Sequence, residues 1–289
     1  MDRCSFQTHH RAGNGVHKAY LDLRAQFEGR FKKWSFALNP LHQLQLQIEK
    51  KTFESEQTQT IIVNSAMVRQ QILNYYNTSS SKIHVIHNGV EWKELETDFH
   101  DSMIHRKEHA IHLGLDPSVF QFLFVGHNFA RKGLKSLIKA LSLVSNKNFH
   151  LSIVGHDKDI SSYQMLVSHL GLDSQITFFG AQSSSRPFYL AADALVVPSM
   201  YDPFANVTVE ALALGLFVVS SKTNGGYEVL QSNSGVVVEN GQNIEELAAA
   251  LEIALKHPKE PSRATHIRST VAYLDYPNQL KKICQLCLG

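Results

Sequence analysis

The second half of the chain alternates between unbroken apolar runs and segments in which apolar residues recur every three or four positions. The apolar runs predict buried strands at residues 121–125, 149–154, 176–179, 193–197, 216–220 and 235–238. The segments between and after them predict helices at residues 134–144, 164–170, 186–192, 209–214 and 244–256. Strands that are apolar on both faces must be covered on both faces. The alternation therefore predicts a doubly wound parallel sheet in an α/β protein.

The first half is less regular, and its elements are shorter. Residues 17–53 are compatible with helix, with an interruption near Pro40, and no strand pattern precedes residue 60. Short strands are then predicted at residues 60–64 and 83–87, with a helix between them. The first half therefore predicts only about two strands.

A polar, charged stretch follows at residues 91–112, and its composition predicts a solvated linker before the turn at residues 114–117. His105, His109 and His112 would share one face of this stretch if it were helical. Two histidines spaced i, i+4 are able to bind a metal. We favour the solvated linker over a metal site.

Composition and charge exclude some classes of protein. The 289 residues are 43% hydrophobic and 19% charged, which is ordinary for a soluble globular protein. A net charge of +2 lacks the basic excess of a nucleic-acid-binding protein, so no nucleic acid partner is expected. The positive charge is denser near the N-terminus, at Lys18, Arg24, Arg30, Lys32 and Lys33. A solvated helix face is the simpler explanation, and a surface that meets anionic lipid is the alternative.

The cysteines and the apolar runs bear on the cellular location. Cys284 and Cys287 form a C-x-x-C pair without the second pair that a zinc site needs. We expect ordinary cysteines in a reducing compartment. No run of about eighteen apolar residues is present, and residues 1–10 lack the apolar core of a signal peptide. We therefore expect a cytoplasmic protein.

Ligands of doubly wound sheets bind beyond the carboxyl ends of the strands. The predicted strand at residues 121–125 is followed by Gly126 and then by Arg131 and Lys132. A glycine allows close backbone approach, and two cations beside a helix N-terminus are typical of a phosphate site. A helix start with two solvated charges is the alternative and, for this segment alone, the simpler one.

Other strand ends carry glycines and carboxylates. Gly155 and Gly180 follow two further strands, where a turn is the simpler explanation. The strand at residues 193–197 leads into a loop with Asp202 and then a helix with Glu210. Carboxylates accept hydrogen bonds from vicinal hydroxyls, so two of them suit a ligand with a ribose at one end and a hexose at the other. Acidic residues favoured by the helix dipole are the alternative.

Taken in order, these segments resemble the retaining glycosyltransferases of family 4, which adopt the two-domain GT-B fold. The matching segments are residues 85–90 (Val-Ile-His-Asn-Gly-Val), 124–126 (Phe-Val-Gly), 131–134 (Arg-Lys-Gly-Leu), 153–155 (Ile-Val-Gly), 179–180 (Phe-Gly), 191–193 (Ala-Ala-Asp), 198–215, 218–220 (Val-Val-Ser) and 225–228 (Gly-Gly-Tyr-Glu). The resemblance spans about residues 61–238. Its most specific part is a carboxylate, seven intervening residues and then Glu-Ala, at Asp202 and Glu210. Within the family, the chain is most similar to the glucosyltransferases of lipopolysaccharide core assembly.

The resemblance implies roles for particular residues. Arg131 and Lys132 would bind the donor diphosphate and stabilise the leaving group. Asp202 would accept hydrogen bonds from the sugar hydroxyls, and Glu210 would accept them from the ribose. Further donor contacts are implied at Gly126, Gly155, Gly180, Ala181, Phe204, Ala205, Asn206 and Val207, with Gly180 and Ala181 lining the base and the N–H groups of residues 204–207 helping Asp202. The resemblance implies no metal and no cofactor.

The chain departs from the family pattern near the implied reaction centre. Asp202 stands where Glu is usual, so its carboxylate reaches one methylene less far. Asn206 stands where Gly is common, and His127 where some relatives carry a basic residue. Asn14 stands where the core-type enzymes commonly carry Asp, and a neutral amide cannot act as a base.

The resemblance also implies a division of the chain. Residues 1–115 would form a partial acceptor-side domain, and residues 116–272 a complete donor-binding domain. Residues 273–289 would form a C-terminal helix that packs back on the first part. A GT-B N-terminal domain has several strands and a glycine-rich loop, so we expect the first half of this domain to be absent.

The implied function is the transfer of a hexose from a UDP-sugar or similar nucleotide sugar to a glycolipid or saccharide acceptor. Lipopolysaccharide or other cell-envelope glycan synthesis is the expected context, with peripheral contact at the inner membrane face as a further expectation. The alternative is a truncated or split donor-binding subunit that is inactive without a partner chain. A non-catalytic remnant is the third hypothesis.

Overall fold

The computed structural model describes residues 7–288, without the side chains at positions 28 and 30–33. Two parallel sheets organise this part of the chain. The smaller sheet has the order β1 (His9–Arg11), β2 (Thr60–Val63), β3 (Ile83–Val85). The helices around it are α1 (His17–Glu28), α2 (Arg30–Leu38), α3 (Pro40–Glu54) and α4 (Ala66–Tyr75). Ser65 caps α4, because its side chain accepts a hydrogen bond from the backbone nitrogen of Val68.

Strand β1 corrects the expectation that no strand precedes residue 60. Its sequence, His-His-Arg, contains neither an apolar run nor an alternation, so no periodic pattern marks it. The strand forms because its backbone pairs in parallel with β2, from His9 opposite Thr60 to Arg11 opposite Ile62. Tertiary pairing therefore supplies what the local sequence lacks.

The predicted linker is also largely wrong, because most of it is the helix α5 (Glu96–His112). Its buried residues Phe99, Ser102 and Ala110 anchor an otherwise charged and weakly patterned segment. His109 lies 2.6 Å from the carboxylate of Asp101 rather than beside other histidines. Within residues 7–288, no group of three or more histidine, cysteine or acidic side chains is placed to hold a metal ion.

The larger sheet confirms the predicted α/β class with a doubly wound parallel sheet. Its strands are β4 (Phe120–Val125), β5 (Phe149–Val154), β6 (Ile176–Gly180), β7 (Ala194–Val197), β8 (Phe217–Ser221) and β9 (Gly235–Val238), in the order β6-β5-β4-β7-β8-β9. Phe122 and Phe124 pack into the hydrophobic core on one face, and Leu123 packs into the core on the other. Both faces are therefore covered. The strand order reverses between β4 and β7, where such sheets bind ligands.

Helices cover this sheet and return the chain to the smaller one. They are α6 (Phe129–Lys132), α7 (Leu134–Leu143), α8 (Ile160–His169), α9 (Arg186–Ala191), α10 (Asn206–Ala213), α11 (Ile244–Ala254), α12 (Pro261–Ser269) and α13 (Tyr276–Leu288). Helix α13 lies against β2. The domain boundaries at residues 115 and 272 stay predictions. Among the described helices, none has the length and apolar character needed to span a bilayer.

Candidate functional site

The candidate site begins where β4 and β5 end, at two glycines in direct backbone contact. The amide of Gly126 donates to the carbonyl of Val154 over 3.0 Å. Gly155 has a φ of +135°, and a Cβ built there would lie 1.8 Å from the carbonyl oxygen of Gly126. Only glycine fits such a position, so the two strand ends form a close-packed floor.

The two cations reach this floor from a short helix. Arg131 and Lys132 were predicted to lie at the start of the long helix. They are instead the last residues of α6. Gly133 separates α6 from α7 with a φ of +80°, and a Cβ there would lie 2.1 Å from the carbonyl oxygen of Pro198. The turn therefore places α6 against the loop that follows β7. The aliphatic stem of Lys132 lies over Gly126.

Asp202 pairs directly with both cations. Its side chain is 9% exposed, and its Oδ2 lies 2.8 Å from Lys132 Nζ and 3.2 Å from an Arg131 guanidinium nitrogen. Oδ1 accepts from the backbone nitrogen of Phe204 over 3.2 Å. A nearly buried carboxylate needs charged and hydrogen-bonding partners; helix α6 supplies two of them and the loop supplies the third. The structure thus joins Arg131, Lys132 and Asp202 in one cluster.

Glu210 lies one turn into α10, outside the cluster of Arg131, Lys132 and Asp202, and lines a separate polar cavity. The hydroxyl of Tyr189 donates to its carboxylate over 2.8 Å. Burial raises the pKa of Glu210 above its usual range, although the Tyr189 hydrogen bond and the charge of Lys132 oppose this shift. Burial and the neighbouring Glu210 carboxylate also raise the pKa of Tyr189, so its hydroxyl stays a donor.

The sequence predicts that all four side chains surround one ligand, but three of them are divided between two cavities and Lys132 lines neither. Glu210 lines a cavity of about 510 Å³ together with Gly126 and Gly155. Arg131 and Asp202 line a cavity of about 340 Å³. Lys132 lies between them, because its stem covers Gly126 while its ammonium contacts Asp202. Both cations contact the Asp202 carboxylate rather than the larger cavity.

The remaining predicted donor contacts are distributed unevenly. Val207 lines the larger cavity, whereas Gly180 and Ala181 do not. The neighbouring residues 182–186 line it in their place. The amides of Phe204 and Ala205 donate to the side chains of Asp202 and Asn224, so these two N–H groups are engaged within the loop. The side chain of Asn206 accepts from Asn88 over 2.7 Å, which links α10 to the smaller sheet. The donor-binding roles of these residues stay predictions.

Other side chains of the site were not found from the sequence. Tyr189 orients Glu210, and Asn88 binds Asn206. Tyr201, next to Asp202, is buried in the core of the smaller sheet. Each acts across at least twenty residues of sequence, so no local pattern could have found them. Asn14 lines the smaller cavity with Arg131 and Asp202, which places the departure noted in the sequence beside this cluster.

Two protein-family models together match most of the chain. The model described as "Glycosyl transferases group 1" matches residues 105–268, and the model described as "Glycosyltransferase Family 4" matches residues 8–93. The first match contains the whole cluster of cations and carboxylates. The second contains the smaller sheet.

Similar proteins span the same region. An uncharacterized glycosyltransferase of Methanocaldococcus jannaschii is 28% identical over 185 residues, covering 62% of this chain and 46% of that protein. The lipopolysaccharide glucosyltransferase WaaG of Escherichia coli is 25% identical over 233 residues, covering 78% of this chain and 60% of that protein. The chain thus spans about half the length of the curated relatives that it matches.

Solved structures share the fold. The crystal structure of WaaG has a TM-score of 0.81 at 21% identity, covering 99% of this chain and 76% of that chain. Anabaena HepE in complex with UDP and glucose has a TM-score of 0.70 at 20% identity, covering 87% of this chain and 69% of that chain. At these identities the likeness concerns the fold alone, and the fold is of the GT-B type predicted from the sequence.

Proposed function

Because this chain belongs to the glycosyl transferases group 1 family, we propose that it transfers a hexose from a nucleotide-diphosphate sugar to a saccharide or glycolipid hydroxyl. The transfer retains the anomeric configuration, as expected from the family 4 resemblance. One observation carries the proposal: two cations and Asp202 form a cluster at the strand ends of the larger sheet, and Lys132 lies between the cavity of this cluster and the cavity of Glu210.

The larger cavity is the proposed nucleotide site. The Glu210 carboxylate is held by Tyr189 and presents an acceptor for ribose hydroxyls. The floor formed by Gly126 and Gly155 allows the ligand to approach the backbone closely. HepE is bound to UDP and glucose in its solved complex, which supports a UDP-sugar as the donor.

The diphosphate would lie over Lys132 and Arg131. As the sugar leaves, negative charge grows on the nucleoside diphosphate, and these two cations stabilise it. Asp202 pairs with both cations and, in this proposal, also accepts hydrogen bonds from the sugar. In this proposal the cations and the helix dipoles provide the charge stabilisation, so no metal is needed.

The acceptor would approach from the side of the smaller sheet. Asn14 lines the cavity that contains Asp202 and Arg131, so this face of the smaller sheet meets the sugar end of the site. A saccharide or glycolipid of the cell envelope is the proposed acceptor. WaaG is named as a lipopolysaccharide glucosyltransferase, which supports this class.

Contact with a membrane surface is part of the proposal. Trp34 and Leu38 on α2 are 77% and 78% exposed, and Leu41 and Leu44 on α3 are 60% and 52% exposed. Residues 29–48 contain three basic residues and no acidic one. The basic residues are Arg30, Lys32 and Lys33, whose side chains are not among those that the structure describes. Exposed apolar side chains in a basic segment suit a bilayer surface with anionic lipids. The protein would bind there peripherally.

A panel of nucleotide sugars tests the proposed function. The melting temperature of the purified chain is measured with UDP-, GDP- and ADP-sugars, and the preferred donor is incubated with saccharide and glycolipid acceptors. Nuclear magnetic resonance of the product then gives the anomeric configuration. Stabilisation by a nucleotide sugar without transfer would favour the donor-binding subunit, and stabilisation by none would contradict the proposal.

A further inference from the structure

A third polar cavity lies at the carboxyl ends of the smaller sheet. It measures about 220 Å³ and is lined by His10, Arg11, Ala12, Gly13, Asn14, Gly15, Asn64 and Asn88. Arg11 ends β1, Asn64 follows β2 and Asn88 follows β3. All three strands thus direct a polar residue to one edge. This is the edge that faces the larger sheet's loops, because Asn64 and Asn88 both belong to segments that contact the residues around Asn206.

Arg11 brings a positive charge to this cavity without an acidic partner. Its guanidinium donates to the Asn88 side-chain oxygen over 3.1 Å. Within residues 7–288, no carboxylate forms a salt bridge with it. A guanidinium has five N–H donors in a fork that matches phosphate and carboxylate oxygens, and Asn88 occupies only part of that capacity. The cavity therefore offers unused donors beside a positive charge.

Asn64 is a second observation that this cavity is built for a ligand. The residue is 3% exposed, and its amide nitrogen donates to the carbonyl of Gly13 over 2.9 Å. Its amide oxygen is buried and has no hydrogen-bond partner among the described residues. A buried acceptor without a partner is costly in a folded protein. A hydroxyl that reached this side of the cavity would supply the missing donor.

The cavity adjoins the proposed reaction centre. Gly13 and Asn14 line both this cavity and the 340 Å³ cavity of Arg131 and Asp202. Arg11 is also linked through Asn88 to Asn206 at the start of α10. A saccharide lying over Gly13 and Asn14 would thus have one end near Asp202 and the other near Arg11.

We propose that the cavity of Arg11, Asn64 and Asn88 binds an anionic substituent, a phosphate or a carboxylate, carried by the acceptor saccharide. The amides recognise hydroxyls, and Arg11 selects the negative charge. This inference rests on the proposed transferase function, because it assigns the acceptor to the cavity beside the donor sugar. It goes beyond that function by stating the chemical class of acceptor.

The test measures binding of four probes to the full chain in the presence of UDP. Glucose 6-phosphate and glucuronate carry an anion on a sugar, glucose lacks the anion, and inorganic phosphate lacks the sugar. Calorimetry is run on the wild-type chain and on Arg11→Gln, with Arg69→Gln as a matched loss of charge on the same sheet's helix α4. Arg11→Lys keeps the positive charge but lacks the paired N–H donors of the guanidinium group.

The anionic sugars should bind the wild-type chain about ten- to hundredfold more tightly than glucose, as expected for a charge-assisted hydrogen bond. Arg11→Gln should remove this preference, Arg11→Lys should retain part of it, and Arg69→Gln should leave it unchanged. Equal binding of glucose and its anionic forms would overturn the proposal, and so would inorganic phosphate binding as tightly as glucose 6-phosphate. UDP titrated alone separates the transferase proposal from the acceptor-site proposal. If UDP binds but the anionic sugars are not preferred, only the acceptor-site proposal is contradicted.

Discussion

The hydroxyl of Tyr201 lies 2.8 Å from the backbone nitrogen of Val16, so the loop that carries Asp202 is anchored in the core of the other sheet. The same hydroxyl lies 3.0 Å from the Gln71 side-chain oxygen. A Cβ at Gly15 would lie 2.3 Å from this hydroxyl, so glycine makes room for it. The Tyr201 carbonyl meanwhile accepts from Arg131 over 3.0 Å. Tyr201 thus connects the smaller sheet to Arg131.

Tyr201→Phe should weaken the anchoring of the loop that carries Asp202 while keeping the aromatic ring in the hydrophobic core. The ring remains, but the amide of Val16 loses a buried partner, which should lower the free energy of unfolding by about 1–2 kcal/mol. Tyr76→Phe is the matched control, since its ring packs against the same core and its hydroxyl donates to the buried Glu49 on α3. Calorimetry should show that Tyr201→Phe reduces the extra affinity of a UDP-sugar over UDP, while Tyr76→Phe does not. Equal effects of the two variants would make Tyr201 a structural residue only.

Asn14→Asp should raise transfer activity. Asn14 lines the cavity of Asp202 and Arg131, and an ionised carboxylate there is able to accept a proton from the acceptor hydroxyl. We expect the initial rate of transfer to increase by about tenfold or more. Asn14→Ser, which changes the side chain without adding a charge, should give no increase. A rate that is unchanged in Asn14→Asp would remove this residue from the mechanism.

Donor affinity should fall on acidification at a higher pH than for an exposed glutamate. Burial raises the pKa of Glu210, and only its ionised form accepts hydrogen bonds from both ribose hydroxyls. Affinity is therefore full above the raised pKa and is lost as the pH falls through it. His127 lines the same cavity and is unchanged in the variant used for comparison. Titrating UDP into wild type and Glu210→Gln from neutral to mildly acidic pH isolates the glutamate, and identical pH profiles would refute its role.

The larger sheet was predictable because each of its strands carries its own signal. Ala194–Val197 is apolar and buried throughout, so a run of hydrophobic residues marks it without any tertiary information. His9–Arg11 has no such signal and depends on pairing with Thr60–Val63. The helix Glu96–His112 is charged over most of its surface and is anchored by a few buried residues. Elements held mainly by long-range contacts were the ones that the sequence missed or misassigned.

The site was predictable as a set of residue types but not as a set of contacts. Parallel strands end at one edge, so Gly126, Gly155 and the loop of Asp202 had to meet there. The partner of a carboxylate, however, depends on the turn at Gly133 that sets α6 against this loop. The sequence could not predict that Asp202 would pair with both cations, or that Glu210 would line a different cavity from Asp202.

The apolar surface of α2 and α3 should bind anionic vesicles. Replacing both Trp34 and Leu38 with serine removes large exposed apolar side chains, each worth about 1.5–3 kcal/mol when buried. Co-sedimentation with phosphatidylglycerol vesicles should therefore fall at least about tenfold, while phosphatidylcholine vesicles bind poorly throughout. Ile104→Ser, at a side chain that is 75% exposed elsewhere, is the control. Equal sedimentation of both variants would argue against this surface.

The central claim is that a single nucleotide sugar spans both cavities, and calorimetry of UDP-glucose, or of the donor that the panel identifies, tests it most directly. Glu210→Ala alters the larger cavity, Lys132→Met alters the boundary between the cavities, and Lys139→Met removes a charge from α7 as the control. Glu210→Ala and Lys132→Met should each weaken binding at least about tenfold, and Lys139→Met should not. Wild-type affinity in either Glu210→Ala or Lys132→Met would contradict the account.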